Sequence, residues 1–267
     1  MPLSKIQSEI LGILAKHRNP ESYVAGAAAL NQHGPRYSGD IDIFHDREEG
    51  VALASSADSA WLMENGFVLQ WLRREPGFHA AMAQRGGEVT KLEWLRDSDY
   101  RFFPTIPDDL FGYRLHYFDL ATNKCLAAAG RREPRDILDL LYIDAHYIAL
   151  GAVVWAAVAK DPGFSPESLI NEIRRNARYR ADDYADLTLT EPVDAGIVSQ
   201  GLRQMLAEAE VFIGNMPAGK EGLVFLADSQ PVLPDPQNLM KYEAHEGRRR
   251  GHWPSSSEIG SAMLERH

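Results

Sequence analysis

The sequence predicts an α/β chain of the α+β kind: a sheet flanked by helices, followed by a mainly helical C-terminal region. Three observations carry this expectation. Apolar residues Ile6, Ile10, Leu11, Ile13 and Leu14 recur at helical spacing near the start. Strand-like runs then gather between Tyr23 and Leu95, punctuated by glycines. From Asp119 to Ile213 the pattern turns helical again, with Gly and Pro at the breaks.

Taken in order, residues 4–16 read as an amphipathic opening helix that Asn19-Pro20 ends. Residues 23–46 read as strand, tight turn, short helix, loop and strand. A helix over residues 48–65 stops at Gly66. Strands follow over residues 67–72, 78–84 and 88–95, the last two joined by a hairpin at Gly86-Gly87. Residues 96–111, with Pro104 and Pro107, read as an ordered loop. A domain boundary is expected near residue 115, giving units 1–115 and 116–267. In the second unit Asp119 is the expected N-cap of a helix to Ala129. Glu133-Pro134 starts a second helix through about residue 150. Further helices are expected over residues 152–159, 166–178 (capped by Ser165) and 194–213. Residues 222–227 read as a short strand, Pro231, Pro234 and Pro236 as an extended segment, and residues 257–266 as a closing helix.

Composition narrows the function classes. The 267 residues can bury a full core and are 45% hydrophobic and 25% charged, as globular proteins are. No apolar run approaches the roughly 20 residues of a membrane span, so no membrane contact is expected. The single Cys125 excludes an internal disulfide, points to the cytoplasm, and in its alanine-rich surroundings reads as packing. A net charge of −10 means that any nucleic-acid contact must use a local patch. Arg174, Arg175, Arg178 and Arg180, at helical spacing, are one such candidate; the Arg248-Arg249-Arg250 run reads as a solvated face. His33, His45 and His79 lack a zinc-ligand spacing, and His45-Asp46 reads as a loop dipeptide.

The chemistry concentrates in Tyr23–Asp46. In Asp40-Ile41-Asp42-Ile43 alternation puts both aspartates on one face and both isoleucines on the other. Two carboxylates side by side on a strand call for a neutralising partner, and a divalent cation with oxygen ligands, magnesium above all, supplies one. Upstream, Gly26 follows an apolar strand and precedes an alanine-rich helix, so Gly26 and Ala27 offer backbone N–H groups to a phosphate. A phosphate turn beside a metal-binding strand suits transfer from a nucleoside triphosphate.

This stretch resembles the nucleotidyltransferase superfamily: an apolar residue, Gly, a second small residue, a gap and Asp-x-Asp. Arg36, Ser38, Asp40, Asp42 and Phe44 resemble the Arg-x-Ser-x-Asp-Ile-Asp-Leu-Phe signature of the AbiEii toxin family. Ala27 departs from the pattern, since a Gly or Ser is usual there. The resemblance implies a nucleotidyltransferase-like mixed sheet and a third metal-binding carboxylate on a strand next to the Asp-x-Asp strand. Glu93 is the candidate, with Asp97 and Asp99 behind it. Asn123-Lys124 and Glu133-Pro134-Arg135-Asp136 through Asp139-Leu140 also resemble this family. There a lysine and an aspartate on successive helices help form the nucleotide site, which implies Lys124 and Asp139 as nucleotide-binding residues, with Arg135 and Asp136 in support. Lys124 and Asp139 could equally form an interhelical salt bridge. Ser38 could equally cap the turn before the strand, and Arg36 balance the carboxylates.

The resemblance spans about residues 20–160. It implies a metal-dependent enzyme that passes a nucleoside monophosphate from a nucleoside triphosphate to an acceptor hydroxyl. Asp40, Asp42 and Glu93 would hold two magnesium ions, with manganese as the alternative, and Lys124 would offset phosphate charge. A toxin enzyme of the type IV toxin–antitoxin kind, with tRNA as acceptor and an antitoxin protein as partner, is the leading expectation. An antibiotic-type small-molecule nucleotidyltransferase and a non-catalytic nucleotide-binding module are the alternatives.

Overall fold

Lys5–Leu14 (α1) opens the chain, and a capping box fixes its start: the Ser4 hydroxyl accepts from Gln7 N, and the Gln7 side chain accepts from Ser4 N. Strand Ser22–Ala25 (β1) leads into the short helix Gly26–Leu30 (α2), then strand Asp40–His45 (β2) and helix Glu48–Glu64 (α3). A meander follows: Val68–Glu75 (β3), Phe78–Arg85 (β4) and Glu88–Arg96 (β5), the last two joined across Gly86-Gly87, where both residues have positive φ.

The computed structural model describes residues 3–97 and 100–249, in two compact units. The first comprises residues 3–97 with Pro104–His116; the second comprises Tyr100–Phe103 with Tyr117–Arg249. Asp99, Arg250 and the expected closing helix at 257–266 lie outside the described residues.

In the second unit, Tyr100–Arg101 forms strand β6; in the first, Ile106–Asp108 (β7) and Gly112–Arg114 (β8) complete a seven-stranded mixed sheet of order β3-β4-β5-β2-β1-β8-β7. The segment read as loop, residues 96–111, thus contains β6 and β7, with β8 just after it, each too brief to show a period in sequence. The central pair decides the chemistry. Strand β2 runs antiparallel to β1 but parallel to β5, with Asp40 opposite Lys91 and Asp42 opposite Glu93. Helices α1 and α3 pack on this sheet, and Ile6, Ile10, Leu14, Ile41, Ile43 and Leu92 are buried. Truncating one such side chain to Ala costs about 2–5 kcal/mol. Gln7 ties the helix to the strands: its amide donates to Ser38 O at 2.9 Å and Thr90 Oγ1 at 3.2 Å.

The second unit is mainly helical: Tyr117–Gly130 (α4), Pro134–His146 (α5), Leu150–Ala157 (α6), Pro166–Asn176 (α7) and Ala195–Asn215 (α8). Among the described residues no single helix is long and apolar enough to cross a membrane. The helix expected to reach residue 150 stops at His146, and α6 leaves at 115° to α5. The Asp144 carboxylate accepts from Leu150 N at 2.7 Å, satisfying a donor at the new helix start. A capping box of Ser165 with Ser168 starts α7.

Asp119 corrects the expected cap. It lies inside α4, fully buried, and accepts from Phe102 N at 2.9 Å and Phe103 N at 3.0 Å, with Lys160 Nζ at 2.7 Å. Val224–Ala227 (β9), Gln230–Val232 (β10) and Glu243–His245 (β11) form a small antiparallel sheet, and Arg248–Arg249 (β12) pairs with β6. The hairpin between β9 and β10 turns on Asp228 and Ser229, both at positive φ.

Candidate metal centre

Period-two alternation along β2 buries Ile41, Ile43 and His45 and leaves Asp40, Asp42 and Phe44 half-buried on the other face. On β5 the same alternation buries Leu92 and Trp94 and leaves Lys91 and Glu93 half-buried. The parallel ladder sets the two half-buried faces side by side. Asp40, Asp42 and Glu93 each bring one carboxylate oxygen into a cluster in which all three lie within 4.8 Å of one another. Three hard oxygen donors at that spacing fit a divalent cation such as magnesium.

Gly26 shapes the wall of this cluster. It sits at φ +67°, and a Cβ there would overlap Asp42 Oδ2 and stand 3.0 Å from Asp42 Cγ. The Asp42 carboxylate therefore occupies the space that any other residue at position 26 would fill. Ala27 is buried in α2, which has five residues, so its macrodipole is small and the turn's contribution is its backbone N–H groups. Ser38 reaches the cluster from the loop: its hydroxyl donates to Asp40 O at 2.8 Å and lies 3.3 Å from Asp40 Oδ1. Arg36 is buried in the same loop, with Nη1 donating to Tyr37 O at 3.3 Å.

Of the fallback acids, Asp97 is buried and accepts from the Tyr23 hydroxyl, outside the cluster. Lys91 is the residue that sequence reasoning left without a role. It shares the face of Glu93, two residues away, and forms an ion pair with Glu93 Oε1. The signal was strand alternation, which puts Lys91 on the same face as Glu93.

The second unit groups the other expected residues. Lys124 Nζ stands 3.2 Å from Asp136 Oδ1 and 2.8 Å from Asp139 Oδ2, and both aspartates are fully buried. Arg131 clamps Asp136 with bonds of 2.7 and 3.0 Å. Burial pushes the Asp136 carboxyl up, but the Arg131 and Lys124 bonds outweigh it and hold the group below the usual carboxylate range. These contacts join α4 to α5. Arg135 lies beside Glu133 at 3.6 Å.

Other expectations are corrected or placed. His45 ends β2 as a buried residue and is no loop dipeptide. Helix α7 ends at Asn176, so Arg178 and Arg180 fall beyond it, while Arg174 pairs with Glu210 at 2.6 Å and Arg175 pairs with Glu172. Cys125 is fully buried, which pushes its thiol up and suits packing. A cavity of about 330 Å³ opens near the end of β2, beside His17, Ser22, His45 and Trp61. The Arg18–Asp58 ion pair in its wall is buried and tied to the core, so the acidic cluster is the stronger chemical candidate.

No protein-family profile matches this sequence, and no curated protein matches it. Solved structures do. MenT4, a nucleotidyltransferase toxin from Mycobacterium tuberculosis H37Rv, superposes with a TM-score of 0.55 at 16% identity, over 80% of this chain and 83% of its own. The chain has a nucleotidyltransferase fold. JHP933 from Helicobacter pylori is also similar, with a TM-score of 0.48 at 17% identity over 79% of this chain and 95% of its own. In this nucleotidyltransferase fold the mixed sheet and the helical second part agree with the expected fold class.

Proposed function

We propose that the protein is a metal-dependent nucleotidyltransferase that passes a nucleoside monophosphate from a nucleoside triphosphate to an acceptor hydroxyl. The observation that carries this reading is the convergence of Asp40, Asp42 and Glu93 on one sheet face, beside a glycine whose missing Cβ leaves room for the Asp42 carboxylate. The likeness in fold to MenT4 supports it.

Asp40, Asp42 and Glu93 would hold magnesium, two ions in the full complex, with manganese able to substitute. When bound, these ions supply Lewis-acid chemistry at the acceptor hydroxyl and charge neutralisation at the triphosphate. The backbone N–H groups of Gly26 and Ala27 orient phosphate oxygens, Ser38 holds Asp40 in place, and Arg36 adds positive charge to the loop before β2. Lys124 serves the nucleotide phosphates as a point charge, with Asp139 and Asp136 setting its position.

The biological reading is a toxin enzyme of a toxin–antitoxin pair, with tRNA as acceptor and a separate antitoxin protein as partner. It draws on the AbiEii resemblance and on the description of MenT4 as a toxin. The deciding experiment incubates the protein with labelled nucleotides, magnesium and total RNA, in parallel with candidate small-molecule acceptors, and asks what becomes labelled. Label on tRNA is expected. Label on a small molecule replaces the acceptor, and nucleotide binding without pyrophosphate release makes the chain a non-catalytic module. Asp40→Asn combined with Asp42→Asn should lower incorporation by at least about a hundredfold while the protein stays folded. Unchanged transfer in that variant would falsify the metal reading.

A further inference from the structure

We propose that Lys91 is a resident counter-ion that competes with the divalent cation for Glu93, and so sets how tightly the free protein holds metal. The inference rests on the metal reading above and goes one step beyond it. Lys91 lies two residues before Glu93 on β5 and opposite Asp40 across the parallel ladder, so its side chain issues on the acidic face. Its ammonium is paired with Glu93 Oε1. The carboxylate oxygen that bonds the ammonium is one of the two that Glu93 could give to a metal.

The two ends of this pair differ in freedom. The Lys91 side chain is 38% exposed and that of Glu93 14% exposed. The lysine, on a flexible four-carbon stem, is the more exposed of the two and can swing into water. The glutamate is the more enclosed partner, fixed by a strand whose neighbouring residues Leu92 and Trp94 are fully buried. When a cation arrives, the lysine is the member that moves. Until then it shields Glu93 from Asp40 and Asp42, which would otherwise repel it at this spacing. A positive charge left near a divalent ion also repels it, so Lys91 lowers metal affinity both by occupying Glu93 and through Coulomb repulsion.

The test is direct manganese binding to the full chain without nucleotide, read from the electron paramagnetic resonance signal of free Mn2+. Lys91→Met and Lys91→Gln should each bind manganese more tightly, on the order of tenfold at low salt, with the gain shrinking as salt rises. Lys91→Arg keeps the charge and should stay near the wild-type affinity. Two uncharged variants at a half-exposed position guard against one failing to fold. Equal or weaker binding by both would overturn the proposal, the weaker case meaning that Lys91 orients Glu93 for the ion instead of competing with it. The Asp40→Asn, Asp42→Asn protein separates this failure from that of the parent reading. If wild type and that double variant bind manganese alike, the metal centre itself is wrong, and Lys91 falls with it. If only the double variant loses binding while the Lys91 variants match wild type, the centre stands and Lys91 alone is a bystander.

Discussion

The two faces of the central sheet handle charge in opposite ways. On the face covered by α1 and α3, Asp58 is fully buried, pairs with Arg18, and accepts from Trp94 Nε1 at 2.7 Å. On the other face Asp40, Asp42 and Glu93 crowd together at a half-buried position, with Lys91 on Glu93. Asp58 and Trp94 interlock a helix with a strand, so that charge is closed and structural. The acids on the other face are held apart from the core by a single alternation of the strand, and they remain partly exposed. Burial pushes the Asp58 carboxyl up, against the pull of Arg18 and Trp94, whereas its guanidinium partner is pushed down by the same burial.

The sharpest way to break this contrast is to neutralise one acid on each face. Asp58→Ala leaves Arg18 buried without its partner and should cost about 3–5 kcal/mol in chemical denaturation. Asp42→Asn should leave the denaturation midpoint nearly unchanged while removing manganese binding. If Asp42→Asn destabilises as much as Asp58→Ala, the open face is structural too and the functional reading of the sheet is lost.

His45 sharpens the same contrast through pH. It ends β2 on the closed face, where burial, and after it the charge of Arg18, lower its imidazole pKa from 6.5 to about 3. The folded group binds its proton less readily than the unfolded one. Stability is therefore complete above pH 6.5 and falls as pH drops from there toward 3. The slope is about 1.4 kcal/mol per pH unit, so this one residue should cost about 2 kcal/mol by pH 5. Urea midpoints for wild type and His45→Gln measured between neutral and mildly acid pH check it: the variant's profile should be flatter through this window. Parallel profiles would mean that the fold does not lower the proton affinity of His45.

Much of this was legible in the sequence, for reasons that particular residues make plain. The Asp40-to-Ile43 alternation and the Gly26 turn are local signals, since strand period and left-handed backbone are set within a few residues. The cap expected at Ser165 is local as well. What could not be read is pairing. That Lys91 faces Asp40 depends on β5 lying parallel to β2, a register that no stretch of either strand encodes by itself. Asp119 misled for the opposite reason: an aspartate ahead of a helical run is a good local cap, but here a distant contact won, with the carboxylate binding Phe102 N and Phe103 N. The Arg174-to-Arg180 stripe failed because Ala177 ends the helix before the stripe is complete.

Gly26 carries the next largest effect, on the open face. Gly26→Ala meets a positive φ, worth roughly 1–2 kcal/mol, and a Cβ that overlaps the Asp42 carboxylate. The carboxylate must then turn away, so manganese binding should fall by more than the stability loss alone accounts for. A folded Gly26→Ala protein with wild-type manganese affinity would show that Asp42 can leave its place without consequence, and the wall of the cluster would no longer be part of the site.

The smallest expected effect separates two roles for Ser38. Its hydroxyl donates to Asp40 O at 2.8 Å and lies near Asp40 Oδ1, which makes it a cap on the strand start and a brace for the first aspartate. Ser38→Ala should then cost about 1 kcal/mol of stability, the net worth of one hydrogen bond. It should also weaken manganese binding by a few-fold, because Asp40 loses the group that fixes it. A hydroxyl whose task is to touch the triphosphate would behave differently. Its loss would leave stability and metal binding unchanged and raise the nucleotide concentration needed for half-maximal incorporation. Thermal or urea unfolding beside a nucleotide titration distinguishes the two, and the outcome says whether the loop before β2 belongs to the strand it starts or to the substrate it faces.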